Sequence, residues 1–214
     1  MNPFPVVLSA PSGGGKTTVT HRLMAQRKDL GYSISCTTRT PRVGEVNGTD
    51  YHFLAEPEFL ARRERGEFAE TAIVHGRWYG TLKSAVQVVL DSGKHVMMDI
   101  DVQGAAQFAV AYPGAVLVFV LPPSVDVLVE RLMARQTESR AALRTRLQSA
   151  RAELKEVDRY HYVVVNDQLD AAVERVSAII DAEEVKRERV RSLDAQVAGL
   201  ITRLDTELEG FAQD

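Results

Sequence analysis

Cysteine is almost absent from this chain of 214 residues, which contains Cys36 alone. One cysteine cannot form an intramolecular disulfide or a cysteine-based zinc framework, and it is typical of a reducing compartment. The first residues also lack a basic lead, and Pro3 and Pro5 interrupt their short apolar run. That pattern predicts neither a signal peptide nor a membrane span, so we expect a cytoplasmic protein.

Charge of one sign is not in excess either. The 26 basic and 29 acidic side chains give a formal net charge of -3 and a pI near 6.0. This balance provides no general attraction to nucleic acid or to an anionic membrane, and we predict neither as a partner. The apolar fraction of 45% and the charged fraction of 26% are typical of folded globular proteins and exclude disordered and collagen-like classes.

Short apolar runs alternate with longer helical patterns along the chain. The runs cover residues 6–8, 95–100, 115–121 and 162–165, and a helix follows each of them, the first beginning at Lys16. We expect a turn at Gln103 and Gly104 before the second helix. Alternation of this kind is typical of a parallel sheet covered on both faces by helices, so we predict an α/β fold.

The pattern divides the chain into a core and three smaller parts. We assign residues 1–31, 84–123 and 161–187 to the core domain. Residues 32–83 are rich in Thr, Arg, Gly and Tyr and lack a long apolar run, which predicts a separate small lobe. Residues 124–160 are helical in pattern and dense in arginine, which suits a mobile cover over a phosphate site or, alternatively, a solvated helix face.

The last part, residues 188–214, is predicted to be a long amphipathic helix. Its apolar residues recur three or four positions apart and form one stripe: Val190, Leu193, Val197, Leu200, Leu204, Leu208 and Phe211. A stripe needs a partner surface. Because the pattern spans few heptads for a coiled coil, we expect the chain's own core to be that partner. A second copy of the chain, giving a homo-oligomer, is the alternative.

A glycine-rich loop between the first strand and the first helix indicates nucleotide binding. Residues 10–17 read Ala-Pro-Ser-Gly-Gly-Gly-Lys-Thr, a P-loop pattern with Ala10 where the first glycine usually lies. Glycines let backbone N–H groups approach phosphate oxygens, and the helix N-terminus adds positive potential. Lys16 supplies a charge to the β- and γ-phosphates, and the Thr17 hydroxyl suits Mg²⁺. The predicted ATP-binding residues of this loop are Ser12, Gly13, Gly14, Gly15, Lys16, Thr17 and Thr18.

Several blocks outside the P-loop narrow the reaction. They are residues 33–45, 48–51, 66–70, 79–81, 98–104, 121–124 and 164–167. In residues, order and spacing these blocks resemble those of guanylate kinases, and the loop resembles the bacterial form. The resemblance covers about residues 4–187. It implies a P-loop kinase fold with a small GMP-binding lobe and a helical lid. It also implies an enzyme of purine nucleotide metabolism that transfers the γ-phosphoryl group of ATP to GMP with Mg²⁺.

The resemblance implies that Arg39, Arg42, Tyr51 and Tyr79 hold the phosphate of GMP. Two guanidinium groups can neutralise and orient a dianion, and two phenol hydroxyls can donate further hydrogen bonds without adding charge. An Arg-x-x-Arg spacing alone is more typical of a surface pair. Its place within the larger block is what indicates a site.

The base pocket implied by the family consists of Ser35, Glu70, Thr81 and Asp99. Guanine presents N1–H and an N2 amine as donors and O6 as an acceptor. A carboxylate opposite the donors and hydroxyls opposite O6 therefore form a complementary set. Adenine leaves such buried polar partners unpaired and is rejected.

Catalysis is expected to depend on positive charge rather than on a side-chain nucleophile. The acceptor is an anion, so its repulsion from the transferring phosphoryl group must be offset, and arginines on a closing lid can do this. The resemblance implies Arg131, Arg135 and Arg146 for this role, together with Lys16 and Arg39. Arg140, Arg144 and Arg151 are expected to face solvent.

Three further assignments concern the metal and the adenosine of ATP. We predict Thr17, Asp99 and Asp101 as the metal-site residues, and which aspartate lies nearer the ion stays open. The family places Asn166 near the adenine or ribose of ATP. The alternative for Asn166 is a turn residue at the end of a strand.

Two other functions are consistent with parts of this sequence. A P-loop kinase acting on a ribose phosphate would keep the phosphate loop and lose the base-reading set. A guanylate-kinase-like binding module would lack phosphoryl transfer. Because Lys16, Thr17, Arg39, Arg42 and Glu70 are all present, we expect the enzyme.

Overall fold

The structure, a computed structural model, describes residues 2–74, 76–133 and 140–211. Its strands are β1 (Pro5–Ser9), β2 (Leu30–Tyr32), β3 (Cys36–Thr37), β4 (His52–Phe53), β5 (Phe68–Val74), β6 (Arg77–Leu82), β7 (His95–Asp99), β8 (Val116–Leu121) and β9 (Tyr162–Val165). Its α-helices are α1 (Lys16–Gln26), α2 (Glu56–Glu64), α3 (Lys83–Asp91), α4 (Val102–Ala111), α5 (Val125–Met133), α6 (Arg140–Leu154), α7 (Leu169–Glu184) and α8 (Leu193–Phe211).

Five strands form a parallel sheet in the order β2-β7-β1-β8-β9. All residues of the central strand β1 are buried, because helices cover both faces of the sheet. Val19 of α1 and Val173 and Val176 of α7 pack on one face, whereas Val86 of α3 and Phe108 of α4 pack on the other. The predicted α/β class is confirmed.

Two local features differ from the sequence prediction. The pattern did not predict β2, a short edge strand that pairs with β7. The predicted turn at Gln103 and Gly104 is wrong, since both residues lie in the first turn of α4. That helix begins earlier because the carboxylate of Asp101 caps it, accepting a hydrogen bond from the backbone N of Gly104 at 2.7 Å.

A second sheet, in the order β4-β3-β6-β5, lies within residues 36–82. β5 and β6 are antiparallel, and β3 pairs with β6 on one side and with β4 on the other. Its core contains Cys36, Phe59 and Phe68, and the two phenyl rings stack with centroids 4.5 Å apart. The thiol of Cys36 is free and buried. The division of the chain into domains stays a prediction.

Helices α5 and α6 lie in the range predicted as a lid. They pack on each other through leucine side chains from both helices. Arg140, Arg144 and Arg151 of α6 are exposed, as expected. Arg135, one of the predicted lid arginines, lies outside the residues that the structure describes.

The apolar stripe of the C-terminal helix α8 faces solvent. Val197 is 44% exposed, and Leu200, Leu204 and Leu208 are 65%, 61% and 65% exposed. The expectation that this stripe packs on the chain's own core is therefore wrong for these four residues. Within the described ranges, α8 included, no helix has the length and hydropathy that crossing a membrane requires.

Candidate active site

The phosphate loop connects β1 to α1 at the carboxyl edge of the parallel sheet. Gly13 and Gly15 have φ angles of 85° and 93°, a region that disfavours side chains with a Cβ. Gly15 is the N-cap residue of α1, and the backbone N of Gly14 donates to the carbonyl of Pro11 at 2.7 Å. The glycines thus give the loop the tight path that lets N–H groups face an anion at the N-terminus of α1.

Two side chains hold this loop from the side of β9 and α5. The amide Nδ2 of Asn166 donates to the carbonyl of Gly14 at 3.0 Å. Arg131 lies beside the same group, with Nη1 3.4 Å from the carbonyl of Gly14 and Nη2 3.2 Å from the carbonyl of Asn166. A Cβ added at Gly15 would lie 2.5 Å from Asn166 Nδ2, so glycine is needed there. The predicted contact of Asn166 with adenosine stays a prediction.

A carboxylate from the lid range also contacts the loop. The backbone N of Ser12 donates to Oε2 of Glu153, near the end of α6, at 2.7 Å. Arg146 lies on the same helix two turns earlier and is half-buried. A change in the position of α6 would therefore be felt at the P-loop through Glu153. Sequence reasoning missed this residue, because it concentrated on the arginines of the region.

Asp99 joins the phosphate loop to the edge of the sheet. It ends β7, whose register with β1 places it opposite Leu8. The hydroxyl of Thr17 donates to Asp99 Oδ2 and the hydroxyl of Tyr32 donates to Asp99 Oδ1, both at 2.6 Å. Hydroxyl and carboxylate oxygens are the donor type that Mg²⁺ prefers, so Thr17 and Asp99 fit the predicted metal. Asp101 differs, since its carboxylate caps α4.

Three of the four predicted base-reading residues meet on β5, β6 and the segment before β3, whereas the fourth, Asp99, is bonded to Thr17 and Tyr32 at the end of β7. Glu70 is 4% exposed, and its Oε1 accepts the hydroxyl of Thr81 at 2.7 Å. The hydroxyl of Ser35 lies 3.4 Å from that of Thr81 and can donate to it. Burial raises the pKa of the Glu70 carboxyl to about 7, and the nearby charge of Asp101 also raises it. Glu70 is thus a carboxyl group shielded from solvent, and its ionised form can accept further hydrogen bonds.

Gly104 gives the Glu70 carboxylate its space. A Cβ on Gly104 would lie 2.6 Å from Glu70 Oε2, which is shorter than any normal contact. The glycine sits in the first turn of α4, where it lowers helix propensity. The space that the Glu70 carboxylate needs is therefore a physical reason for glycine at position 104, and the sequence alone did not reveal it.

The predicted phosphate-binding residues meet around the guanidinium of Arg39. Its two terminal nitrogens donate to the two carboxylate oxygens of Glu45, each at 2.9 Å, and its Nε donates to the Tyr79 hydroxyl at 3.1 Å. The guanidinium also lies 5.4 Å from the ring centroid of Tyr51. Pairing with Arg39 lowers the pKa of Glu45 to about 2. Arg42 has an exposed side chain, and its backbone N donates to Glu45 at 2.7 Å.

Charges beside the P-loop act on two residues of the small sheet and its loop. Burial raises the pKa of Tyr51 to about 12, and the charge of Asp99 contributes to that shift. The positive charge of Lys16 acts on Glu70 in the opposite direction from burial and lowers its pKa. Thr18 of the loop is exposed, and Lys16 is half-buried.

Comparisons with known proteins agree with the resemblance of the sequence blocks. The family model for guanylate kinase matches residues 2–183. Guanylate kinase of Clostridium perfringens (strain 13 / Type A) is 44% identical over 186 residues, which cover 87% of this chain and 86% of that protein. Guanylate kinase of Thermotoga maritima is 45% identical over 180 residues, which cover 84% and 87% of the two chains.

A solved structure adds the fold to this similarity. The crystal structure of guanylate kinase from Anaplasma phagocytophilum superposes with a TM-score of 0.74 at 32% identity, covering 90% of this chain and 92% of that one. The resemblance predicted from the sequence blocks is confirmed. Because the family model matches residues 2–183 and relatives of about 44% identity are matched over most of their length, the chain belongs to the guanylate kinase family.

Proposed function

We propose that the P-loop and the small sheet each hold one substrate of an ATP:GMP phosphotransferase, with Asp99 between them. As a guanylate kinase, the chain transfers the γ-phosphoryl group of ATP to GMP and forms ADP and GDP. The observation that carries the assignment of the sites is the buried Glu70–Thr81 pair. A phosphate loop alone does not need such a pair, whereas a guanine-binding pocket does.

The ATP site consists of the loop residues 12–18 and the groups that support them. Backbone N–H groups and the N-terminus of α1 bind the phosphates, and Lys16 neutralises the β- and γ-phosphates. Asn166 belongs to this site, since its bond to Gly14 shapes the loop from the side of β9. Arg131 contacts the same carbonyl, which supports its assignment to the ATP phosphates.

Thr17 and Asp99 are the residues that would hold Mg²⁺. The two side chains already share a hydrogen bond of 2.6 Å beside the loop. Between the two predicted aspartates we favour Asp99, because the carboxylate of Asp101 is occupied at the N-terminus of α4. When bound, the ion would offset the negative charge that develops on the phosphoryl oxygens.

The GMP phosphate is assigned to Arg39, Arg42, Tyr51 and Tyr79. Arg39 is held in place by Glu45 and by the Tyr79 hydroxyl, so its guanidinium is ordered before a ligand arrives. Arg42 bonds Glu45 through its backbone N. Its side chain is exposed, so its guanidinium can rotate toward the phosphate. A dianion between these two groups is neutralised and oriented.

The guanine base is assigned to Glu70, Thr81, Ser35 and Asp99. The ionised form of Glu70 accepts hydrogen bonds from N1–H and the N2 amine, while a hydroxyl donates to O6. Because the pKa of Glu70 is raised, the carboxyl must release its proton to solvent before it can accept these hydrogen bonds from GMP. AMP offers no matching donors and leaves the buried carboxyl unpaired, which is the basis of selectivity.

The transfer step is assigned to in-line attack by a GMP phosphate oxygen on the γ-phosphorus. No protein nucleophile is required, and Lys16, Arg39, Arg131, Arg146 and Arg135 supply the positive charge. Arg146 is carried by α6, whose packing on α5 links it to Arg131. Closure of these helices would also exclude water from the γ-phosphate.

A coupled assay with MgATP and a panel of acceptors tests this function. We expect turnover with GMP and at least a thousandfold lower kcat/KM (~10³) with AMP, CMP and UMP. Turnover only with another phosphate acceptor would support the ribose-phosphate kinase, and no turnover with any acceptor would support the binding module. The ribose-phosphate kinase does not explain why Glu70 is buried beside the hydroxyl of Thr81.

We further propose that α8 forms a homo-oligomer by packing its apolar stripe on a second copy of the chain. Val197, Leu200, Leu204 and Leu208 share this stripe, and all four are exposed. An exposed stripe of this length is unfavourable in water unless it finds a partner. Self-association is therefore proposed in place of packing on the chain's own core.

The cytoplasm and purine nucleotide metabolism are the proposed setting. The buried free thiol of Cys36 suits a reducing compartment. The small net charge of -3 gives no reason to add nucleic acid or a membrane to the partners.

A further inference from the structure

Tyr32 lies at the point where the core sheet leads into the small sheet. It is the last residue of β2, and its register partner on β7 is Met97, two residues before Asp99. Its hydroxyl donates to Asp99 Oδ1 at 2.6 Å. The other oxygen of that carboxylate accepts the hydroxyl of Thr17 at the same distance. Asp99 is thus held by one hydroxyl on each oxygen.

We propose that Tyr32 is a positioning residue for phosphoryl transfer, whose hydroxyl fixes the Asp99 carboxylate against Thr17. The terminal torsion of an aspartate side chain is soft, and a single hydrogen bond leaves the carboxylate free to rotate about it. Two donors on opposite oxygens remove that freedom. The proposal rests on the proposed role of Asp99 and Thr17 at the metal of the ATP site.

The short bonds have a direct chemical consequence for Thr17. Distances of 2.6 Å are typical of hydroxyl groups that donate to an ionised carboxylate. The Thr17 proton is committed to Asp99, so the hydroxyl oxygen keeps its lone pairs available as a ligand. Without the Tyr32 hydroxyl, the Asp99 carboxylate could turn away, and Thr17 would lose this fixed acceptor.

Tyr32 contacts a group that is assigned to both substrate sites. Its hydroxyl donates to Asp99 Oδ1, and Asp99 is assigned both to Mg²⁺ beside the P-loop and to the guanine base.

Substitution Tyr32→Phe removes the hydroxyl and little else, which makes it the test. We expect kcat to fall about tenfold, the effect of losing one charge-assisted hydrogen bond. In calorimetric titrations, ATP affinity in the presence of EDTA should stay at the wild-type value. The gain in ATP affinity on adding Mg²⁺ should shrink about tenfold. A purely structural tyrosine would not change this Mg²⁺-dependent gain.

Tyr162→Phe is the matched control. The Tyr162 hydroxyl also donates to a carboxylate, that of Glu183, at 2.5 Å, far from the P-loop on β9 and α7. This variant should lower the urea midpoint of unfolding and leave kcat and the Mg²⁺-dependent gain unchanged. If Tyr32→Phe behaves in the same way as this control, the proposal is wrong.

A double variant separates the role of Tyr32 from that of Asp99. In the Asp99→Ala background, Tyr32→Phe should have no further effect on the Mg²⁺-dependent gain in ATP affinity, because the hydroxyl acts through Asp99. Additive effects would overturn the proposal. Turnover of GMP by the wild-type enzyme tests the proposed function separately, and the ATP titrations test Tyr32 whether or not GMP is the acceptor.

Discussion

Substitution of Glu70 by glutamine should make the free enzyme more stable and a poorer kinase. Glu70 is 4% exposed, and Oε1 of its carboxyl group accepts a hydrogen bond from the Thr81 hydroxyl at 2.7 Å. Glutamine has the same shape and offers an oxygen to Thr81 in the same way. What it removes is the cost of ionising a group in a site from which water is excluded.

The size of the effect follows from the pKa of Glu70. A value of about 7 in the folded state, against an ordinary 4.5, corresponds to roughly 3 kcal/mol. Because the folded state holds this proton more tightly than the unfolded chain does, the stabilisation is complete below pH 4.5 and is lost as the pH rises to 7. The advantage of Glu70→Gln should therefore be under ~1 kcal/mol at about pH 5 and about 3 kcal/mol at about pH 8.

The effect on GMP has the opposite sign. Glutamine presents an amide N–H₂ where guanine also presents donors, so we expect KM for GMP to rise at least about 100-fold with KM for ATP unchanged. In the wild-type enzyme, binding of GMP needs the ionised carboxyl. KM for GMP should accordingly rise about tenfold per pH unit below the Glu70 pKa of about 7.

Urea unfolding of wild type and Glu70→Gln at the two pH values measures the stability difference. Glu64→Gln, at the exposed end of α2, is the control and should show no difference at either pH. A gain of equal size at both pH values would refute the reasoning, since it would not come from ionisation. A less stable Glu70→Gln at the higher pH would refute it as well.

Three further variants test other parts of the structure. Gly104→Ala pushes a Cβ to 2.6 Å from the carboxylate of Glu70, so KM for GMP should rise about tenfold or more while KM for ATP is unchanged in initial-rate kinetics. Glu153→Gln replaces the charged acceptor of the Ser12 backbone N–H by a neutral one. The affinity for ATP, measured by calorimetry, should therefore fall about threefold to tenfold. An unchanged affinity would mean that α6 is not coupled to the loop. Replacement of the exposed Leu200 and Leu204 by glutamate should convert the proposed oligomer to a monomer, as measured by sedimentation velocity, and leave kcat unchanged. A wild-type protein that already sediments as a monomer would contradict the proposal for α8.

The parts of the fold and site that depend on local sequence could be predicted. β1, β7 and β8 contain apolar runs, which a strand buried on both faces needs, and the edge strand β9 is apolar as well although Val163 and Val165 are exposed. The P-loop combines glycines, Lys16 and Thr17 in adjacent positions, so its geometry follows from a few residues. Both features are specified within short segments of the chain.

Contacts between distant segments could not be predicted in the same way. Glu153 meets Ser12 from 141 positions away, and Asn166 meets Gly14 from 152 positions away, with no local pattern to mark either contact. Tyr32 reaches Asp99 because β2 and β7 are neighbours, and β2 was too short to be recognised as a strand. These pairings depend on the arrangement of the whole sheet.

The prediction that the apolar stripe of α8 packs on the chain's own core was wrong for a different reason. Its periodicity predicts a helix with one apolar face, and the helix is present. Periodicity contains no information about what covers that face, because packing on the core and packing on another copy need the same pattern. The surface that covers an amphipathic helix must be found by measurement.

The bidentate pair of Arg39 and Glu45 has a consequence for the release of GDP. If Arg39 holds the phosphate as proposed, its guanidinium has little side-chain freedom left to lose on binding, because Glu45 already holds it. The Glu45 carboxylate would also repel the bound anion. This repulsion would favour dissociation of GDP after the transfer step.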